Sequence, residues 1–194
     1  MSSSGIDKVL ILFDETSRNE VIKKFVVSGL KHPHVISEGY LNKDSIKEVR
    51  KGDFGLLIIS CKITNQFSIE AARIAATHPT ATIIYIAEET DFSRSEELKT
   101  KEELLEIGAN LLVKPVNKTA FKVALNAADM AHIRLCTLKQ KIEDEKVITR
   151  AKLILMQVLC MTEEQAHKYI EKESMNNGVT RIETAYDVLR TYDY

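Results

Sequence analysis

The sequence has no excess of positive charge. Its 27 Lys and Arg stand against 28 Asp and Glu, a formal net charge of −1 over 194 residues. Proteins that coat nucleic acid nonspecifically carry a clear basic surplus, so any nucleic-acid contact has to come from a local face or from shape. Residues 139–194 are no exception, with nine Lys and Arg against ten Asp and Glu. Cysteine is scarce. Cys61, Cys136 and Cys160 are odd in number and show no C-x-x-C spacing, which points to reduced, mostly buried thiols in a cytoplasmic protein. No apolar run approaches the length that spans a bilayer, and residues 1–5 lead into a short strand rather than a signal-peptide core. A Gly-rich phosphate loop, a nucleophile elbow and a metal-ligand cluster are also missing. His32, His34, His78, His132 and His167 form no ligand grouping. The expectation is therefore no enzyme, no cofactor, no metal and no membrane partner.

What is present is alternation. With 44% hydrophobic residues, the chain can form one ordinary domain and a small second one. Apolar runs at 8–13 (KVLILF), 54–61 (FGLLIISC) and 81–86 (ATIIYI) read as strands buried on both faces. Val35-Ile36 is a weaker strand candidate, and Leu111-Leu112-Val113 a last short one. Helical spacing links them at 17–30, 44–51, 68–77 and 95–107. Strands alternating with helices predict a parallel five-stranded sheet wrapped on both sides.

After Lys114-Pro115 the character changes. From Lys118 to about Cys160 there is neither Gly nor Pro. Ala124, Ala128, Ala131, Leu135, Leu138 and Ile142 recur at steps of four and three, the signature of a coiled-coil seam, and predict a long dimerising helix. The next seam positions, Glu145 and Thr149, break the pattern. Apolar residues resume at Ile148, Ala151, Leu155 and Val158, displaced by three residues, which changes the winding or marks a new packing partner. Two short helices follow. Thr162-Glu163-Glu164-Gln165 and Thr180-Arg181-Ile182-Glu183 are capping boxes, and Asn176-Asn177-Gly178 is a helix stop. Ala166, Tyr169 and Ile170, then Ala185, Val188, Leu189 and Tyr192, are the expected inward faces.

The N-terminal region resembles a response-regulator receiver domain over roughly residues 7–126. That family places an acidic pair after the first strand, a phosphoacceptor Asp at the end of the third, a Ser or Thr ending the fourth, and Lys-Pro after the fifth. Its chemistry is a carboxylate nucleophile assisted by Mg²⁺. Here Phe13 replaces one acid while Asp14 and Glu15 remain. Ser60 takes the acceptor position and Ala87 the hydroxyl position, while Lys114-Pro115 is intact. The resemblance implies a flavodoxin-like pseudo-receiver (1–120) whose pocket of Phe13, Asp14, Ser60, Ala87 and Lys114 lacks the nucleophile.

The C-terminal region resembles the ANTAR domain in the order of its features. Ile148-x-Arg150-Ala151-Lys152-x-x-Leu155-Met156 matches the entry, Thr162-Glu163-Glu164-Gln165-Ala166 the second helix, Ser174-Met175 its end, and Ile182-x-x-Ala185 the third helix. The family commonly has Gly where Leu153 stands. The resemblance implies a coiled-coil dimerisation helix (121–145) feeding a three-helix RNA-binding domain (146–194). The homodimer would hold two adjacent hairpins of a leader mRNA and prevent a terminator from forming, one domain per loop. Candidate RNA contacts are Lys146, Arg150, Lys168 and Lys172 toward phosphates. Lys152, Ser174, Asn177, Arg181 and Thr184, near helix ends, are candidates for polar contacts. Met175 and Ala185 are expected in the core, and Tyr186, Tyr192 and Tyr194 are possible stacking residues, Tyr192 fitting the core better. Without an acceptor, control would fall to a regulatory protein or ligand on the pseudo-receiver. The rival readings are a phosphorylation-responsive regulator with DNA or protein output, and a dimeric scaffold without nucleic acid.

Overall fold

A computed structural model of the chain describes residues 5–14, 20–30, 35–88 and 95–192. Glu15, His32, His34 and Tyr194 lie outside the described residues. The chain divides into two compact units, Met1–Cys136 and Thr137–Tyr194.

The first unit alternates β1 (Lys8–Phe13), α1 (Glu20–Gly29), β2 (Val35–Tyr40), α2 (Lys43–Lys51), β3 (Leu56–Ser60), α3 (Gln66–Ala76), β4 (Thr82–Ala87), α4 (Ser95–Glu106) and β5 (Asn110–Val113), and ends in the first turns of α5 (Lys118–Val158). All strands are parallel, in the order β2-β1-β3-β4-β5. This is the flavodoxin-like winding, with its switch point between β1 and β3. β3 and β4 are buried along their whole length, as their unbroken apolar runs require. Successive side chains of β3 point to opposite faces. Leu57 and Ile59 pack with residues of α2, α3 and α4, such as Val49, Ala72 and Leu104. Leu56 and Ile58 pack with Val26 of α1 and with Phe121 and Leu125 of α5.

Three details depart from the sequence reading. β2 runs six residues, through Ser37, Glu38 and Gly39, because an edge strand needs no continuous apolar run. Asn42 caps α2, accepting from the backbone N–H of Asp44 and Ser45, while Ser45 bonds back to the Asn42 N–H. Ala124 and Ala128 are also not open to a second chain. They are buried with Phe121 and Leu125 in the core beneath the sheet. The four-and-three alternation starts on the helix face that closes this domain, so it measures packing on the sheet there and not a dimer seam. Ala131 and Leu135 follow half-buried. His132 is buried, with Nδ1 2.6 Å from the Thr80 carbonyl oxygen.

The second unit holds the C-terminal part of α5 together with α6 (Glu163–Asn177) and α7 (Arg181–Tyr192). Ala151 and Leu155 of α5 pack with Ala166 and Ile170 of α6 and with Ala185 and Val188 of α7, all buried. Both capping boxes form. Thr162 Oγ1 accepts from the Gln165 N–H at 3.2 Å, and Gln165 Oε1 from the Thr162 N–H at 2.8 Å. Thr180 and Glu183 repeat this at 3.3 and 2.8 Å. Gly178 ends α6 in the left-handed conformation, φ 64°, where a Cβ would be strained.

At about 100° per residue, Leu138, Ile142, Thr149 and Leu153 share one face of α5, while Ala151 and Leu155 lie on the opposite one. The three-residue displacement in the sequence is therefore two faces of one continuous helix. The cysteines divide likewise: Cys61 is buried, Cys136 half-buried and Cys160 exposed, so the expectation of buried thiols holds fully only for Cys61.

Candidate nucleic-acid interface

Two regions carry the functional side chains, one in each unit. At the switch point of the sheet, the strand register sets Phe13 beside Ser60, and Ala87 beside Val113. Phe13 is buried and makes an edge contact with Tyr40, ring centroids 4.9 Å apart. Ser60 is fully buried at the end of β3. Asp14 Oδ2 accepts from the backbone N–H of Lys62 at 3.3 Å. Lys114 Nζ donates to Glu88 Oε1 at 3.0 Å. Glu88, directly after β4, is thus the carboxylate partner of the lysine. The site has no carboxylate at the end of β3. Acyl-phosphate chemistry needs such a group as nucleophile, and a buried serine hydroxyl beside a phenyl ring does not supply it. Among the described residues, no three His, Cys, Asp or Glu converge in a way that could hold a metal ion.

In the second unit the sequence candidates separate. Lys168 and Lys172 stand one turn apart on the solvent face of α6, and Met175 continues that line. Met175 is 82% exposed, against the expectation of a core residue. Ala166, Ile170 and Ser174 are the buried set of the helix, and Met175 follows Ser174 by one position, about 100° round the axis. That spacing was readable from the sequence. Ala185 is fully buried, as expected. Asn177 and Arg181 are exposed on either side of the α6–α7 turn. Tyr186 is exposed, and Tyr192 packs against the core.

Three candidates are withdrawn inward. Ser174 is buried and donates to the Glu171 carbonyl at 2.8 Å, and Thr184 is buried and donates to the Thr180 carbonyl at 3.3 Å. Small hydroxyl residues satisfy themselves in this way on the backbone one turn back, so neither is presented to a ligand. Lys152, only 19% exposed in its side chain, ties α5 to Glu163 in the first turn of α6 at 3.0 Å. The remaining cations are exposed but partnered in part. Lys146 pairs with Glu143, Lys168 with Glu164 and Arg181 with Glu171. Such surface pairs are worth at most about 1 kcal/mol and re-form readily with phosphate. Arg150 is exposed beside Lys146 on α5. The Glu183 carboxyl is held below the usual carboxylate range, first by the backbone N–H of Thr180 and then by its hydroxyl. The Tyr169 hydroxyl is pushed up by burial.

No curated protein sequence matches the chain. Among solved structures it is similar to the lysine decarboxylase LdcF of Francisella novicida, with 12% identity and a TM-score of 0.47 over 66% of this chain and 17% of that one. It is also similar to the pilus assembly protein CpaE of Burkholderia thailandensis, with 17% identity and a TM-score of 0.43 over 62% and 96% of the two chains. RcsB of Salmonella enterica serovar Typhimurium is similar at 14% identity and a TM-score of 0.41, over 94% and 99%. Among family models, the ANTAR domain matches residues 137–190, a segment that begins at the division between the two units and ends within α7. A parallel five-stranded sheet thus precedes a capped helical unit with its own core, and residues 137–190 of this chain match the ANTAR domain.

Proposed function

We propose that the chain is a non-enzymatic, cytoplasmic RNA-binding regulator of transcription antitermination. It holds small hairpins of a leader transcript and is not controlled by phosphorylation. The match of residues 137–190 to the ANTAR domain carries this reading. The solvent face of α6, with Lys168, Lys172 and Met175, supports it, as do Asn177 and Arg181 at the following turn. Two cations at one-turn spacing suit successive phosphates, and the polar and apolar groups at the turn suit the unstacked bases of a loop. A leader with two adjacent hairpins takes two copies of the chain, one ANTAR domain per loop. The RNA brings the copies together, and this avidity offsets the thin positive charge.

The test is a gel shift of the full chain with an RNA of two adjacent hairpins before a terminator, and with a scrambled-loop control, from about 50 to 200 mM salt. Loop-dependent binding that weakens with salt supports the reading. Absence of any shift at low salt would sink it and favour a scaffold without nucleic acid. The rival of a phosphate-driven receiver is disfavoured by Ser60 at the acceptor position and by the Lys114–Glu88 pair.

A further inference from the structure

His132 and Cys136 stand one turn apart on α5, in the stretch that closes the first unit. Cys136 Sγ lies 3.5 Å from His132 Nε2, an ordinary separation for a hydrogen bond to sulfur. The other ring nitrogen, Nδ1, is 2.6 Å from the Thr80 carbonyl oxygen. A carbonyl oxygen only accepts, so Nδ1 must carry a proton. Nε2 is then either a lone pair that takes the thiol proton or, once protonated, an N–H that faces a thiolate. Nucleophile, base and orienting group thus stand in the order that activates a weak nucleophile.

The ring is fixed in place. His132 is 8% exposed, and Gly55, just before β3, lies against it. A Cβ at Gly55 would stand 2.8 Å from His132 Cε1. Among the described residues, Thr80 and Cys136 account for both ring nitrogens, so no carboxylate or cation is bonded to the ring. Of the charged groups on the surrounding elements, Asp129 accepts from the Ile6 backbone N–H, Lys8 pairs with Asp53, and Arg134 and Lys139 are exposed. Cys136 itself is half-buried, open to a small reagent. Cys61 offers it no second thiol, because Cys61 is buried in the core on the other face of the sheet, against the Tyr85 hydroxyl. Cys160 is exposed and has no histidine bonded to it among the described residues.

We infer that Cys136 is a modification site that takes up a small thiol from a low-molecular-weight disulfide of the glutathione class, with His132 as its base. The thiol proton passes from Sγ to Nε2, and the sulfur attacks one sulfur of the disulfide. The S–S bond of the reagent breaks, a new S–S bond to Cys136 forms, and His132 returns the proton to the departing thiolate. Cys136 is oxidised, and the reagent is reduced to one free thiol. The product is a mixed disulfide because no neighbouring cysteine can displace the small thiol. The reverse exchange follows the same path, so occupancy tracks the present ratio of disulfide to thiol. This input to the N-terminal unit needs no phosphoryl group, and it stands independently of the RNA reading.

The experiment treats the full, reduced chain with oxidised glutathione from about pH 6 to about pH 8 and follows each cysteine by peptide mass mapping. An ordinary thiol, with a pKa of about 8.5, loses reactivity about tenfold per pH unit as pH falls through that range. Cys160 should show this slope. Cys136 should form its adduct with a clearly shallower slope, because its proton has a base to go to. His132→Asn keeps a donor for the Thr80 carbonyl but removes Nε2, and should give Cys136 the slope of Cys160. Equal slopes at Cys136 and Cys160 in the unaltered chain overturn the inference. So does a Cys136 profile that His132→Asn leaves unchanged, or an adduct that forms at Cys160 alone. The comparison of the two cysteines lies within one molecule, so it decides the question even where His132→Asn disturbs folding. No RNA enters the reaction, so failure of the RNA reading leaves its outcome unaffected.

Discussion

Lys114 Nζ lies 3.0 Å from Glu88 Oε1, joining the ends of β5 and β4 where the sheet presents its strand tips. Both side chains are mostly withdrawn from solvent. Removing one partner leaves the other partly desolvated without its counter-charge, whereas removing both leaves no orphan. Glu88→Gln is expected to destabilise the N-terminal unit by about 1–2 kcal/mol, and Lys114→Met in the same chain should recover part of that loss. Urea unfolding of both single variants and the double variant measures the coupling, and a coupling of zero would show that the pair contributes nothing.

The buried Ser60 at the end of β3 gives a second expectation. Incubation of the chain with a small phosphodonor and Mg²⁺, followed by intact mass, should show no phosphoryl adduct. A stable adduct mapping to the N-terminal unit would restore the phosphate-driven alternative.

Helix caps weigh heavily in so small a unit as Thr137–Tyr194. Thr162→Ala and Thr180→Ala each remove the oxygen that accepts an otherwise unpaired helix N–H. Each should cost about 1 kcal/mol. Leu155→Ala, at a fully buried position, should cost about 2–5 kcal/mol. Hydrogen exchange of α6 and α7 reports all three changes, and the strands β3 and β4 should stay protected in every variant.

Glu183 gives a pH dependence. Its carboxyl is held below its ordinary value, first by the Thr180 backbone N–H and then by the Thr180 hydroxyl. A depressed folded-state pKa contributes stability above the unfolded value of about 4.3, and that stability is lost as pH falls through the folded pKa. The stability difference between the chain and its Glu183→Gln variant should therefore be full near neutral pH and shrink as pH falls through and below the ordinary glutamate range, about 4.3. A difference that is constant across this window would contradict the assigned role.

On the proposed RNA face, Lys168→Ala and Lys172→Ala should weaken hairpin binding at low salt. Each should also flatten the dependence of log K on log salt by about 0.7 if it removes one contact to a single-stranded phosphate. Met175→Asn should weaken binding with no change in that slope, since its exposed side chain carries no charge. Equal slopes in all variants would place the phosphates elsewhere.

Much of the fold was readable in advance because its signals are strong and local. The unbroken runs of β3 and β4 can only be buried on both sides. The two Thr capping boxes and Gly178 fix the ends of α6 and α7 wherever the rest of the chain lies. β2 was harder, because Ser37, Glu38 and Gly39 sit on an edge strand that asks little of its side chains. Ala124 and Ala128 misled because steps of three and four describe any helix face against any surface, whether the partner is a second chain or a neighbouring sheet. The interface was less legible still. Ser174 and Thr184 look like ligand-facing hydroxyls in sequence, yet they bond to their own backbone. Met175 looks apolar enough for a core but falls one position beyond the buried line of α6. The pairing of Lys114 with Glu88 needed the sheet, since the two residues are distant in sequence and meet only through the β4–β5 register.

That pairing changes what kind of timer the N-terminal unit can be. A phosphoryl group arrives, persists for a time set by its hydrolysis, and leaves, so a receiver built on it measures elapsed time. A carboxylate carried by the chain is made with the protein and never expires. On the proposed reading, Lys114 faces a permanent charge, and this molecule keeps no record of a past event. On that same reading, its output follows the present concentrations of whatever binds it, as in a titration.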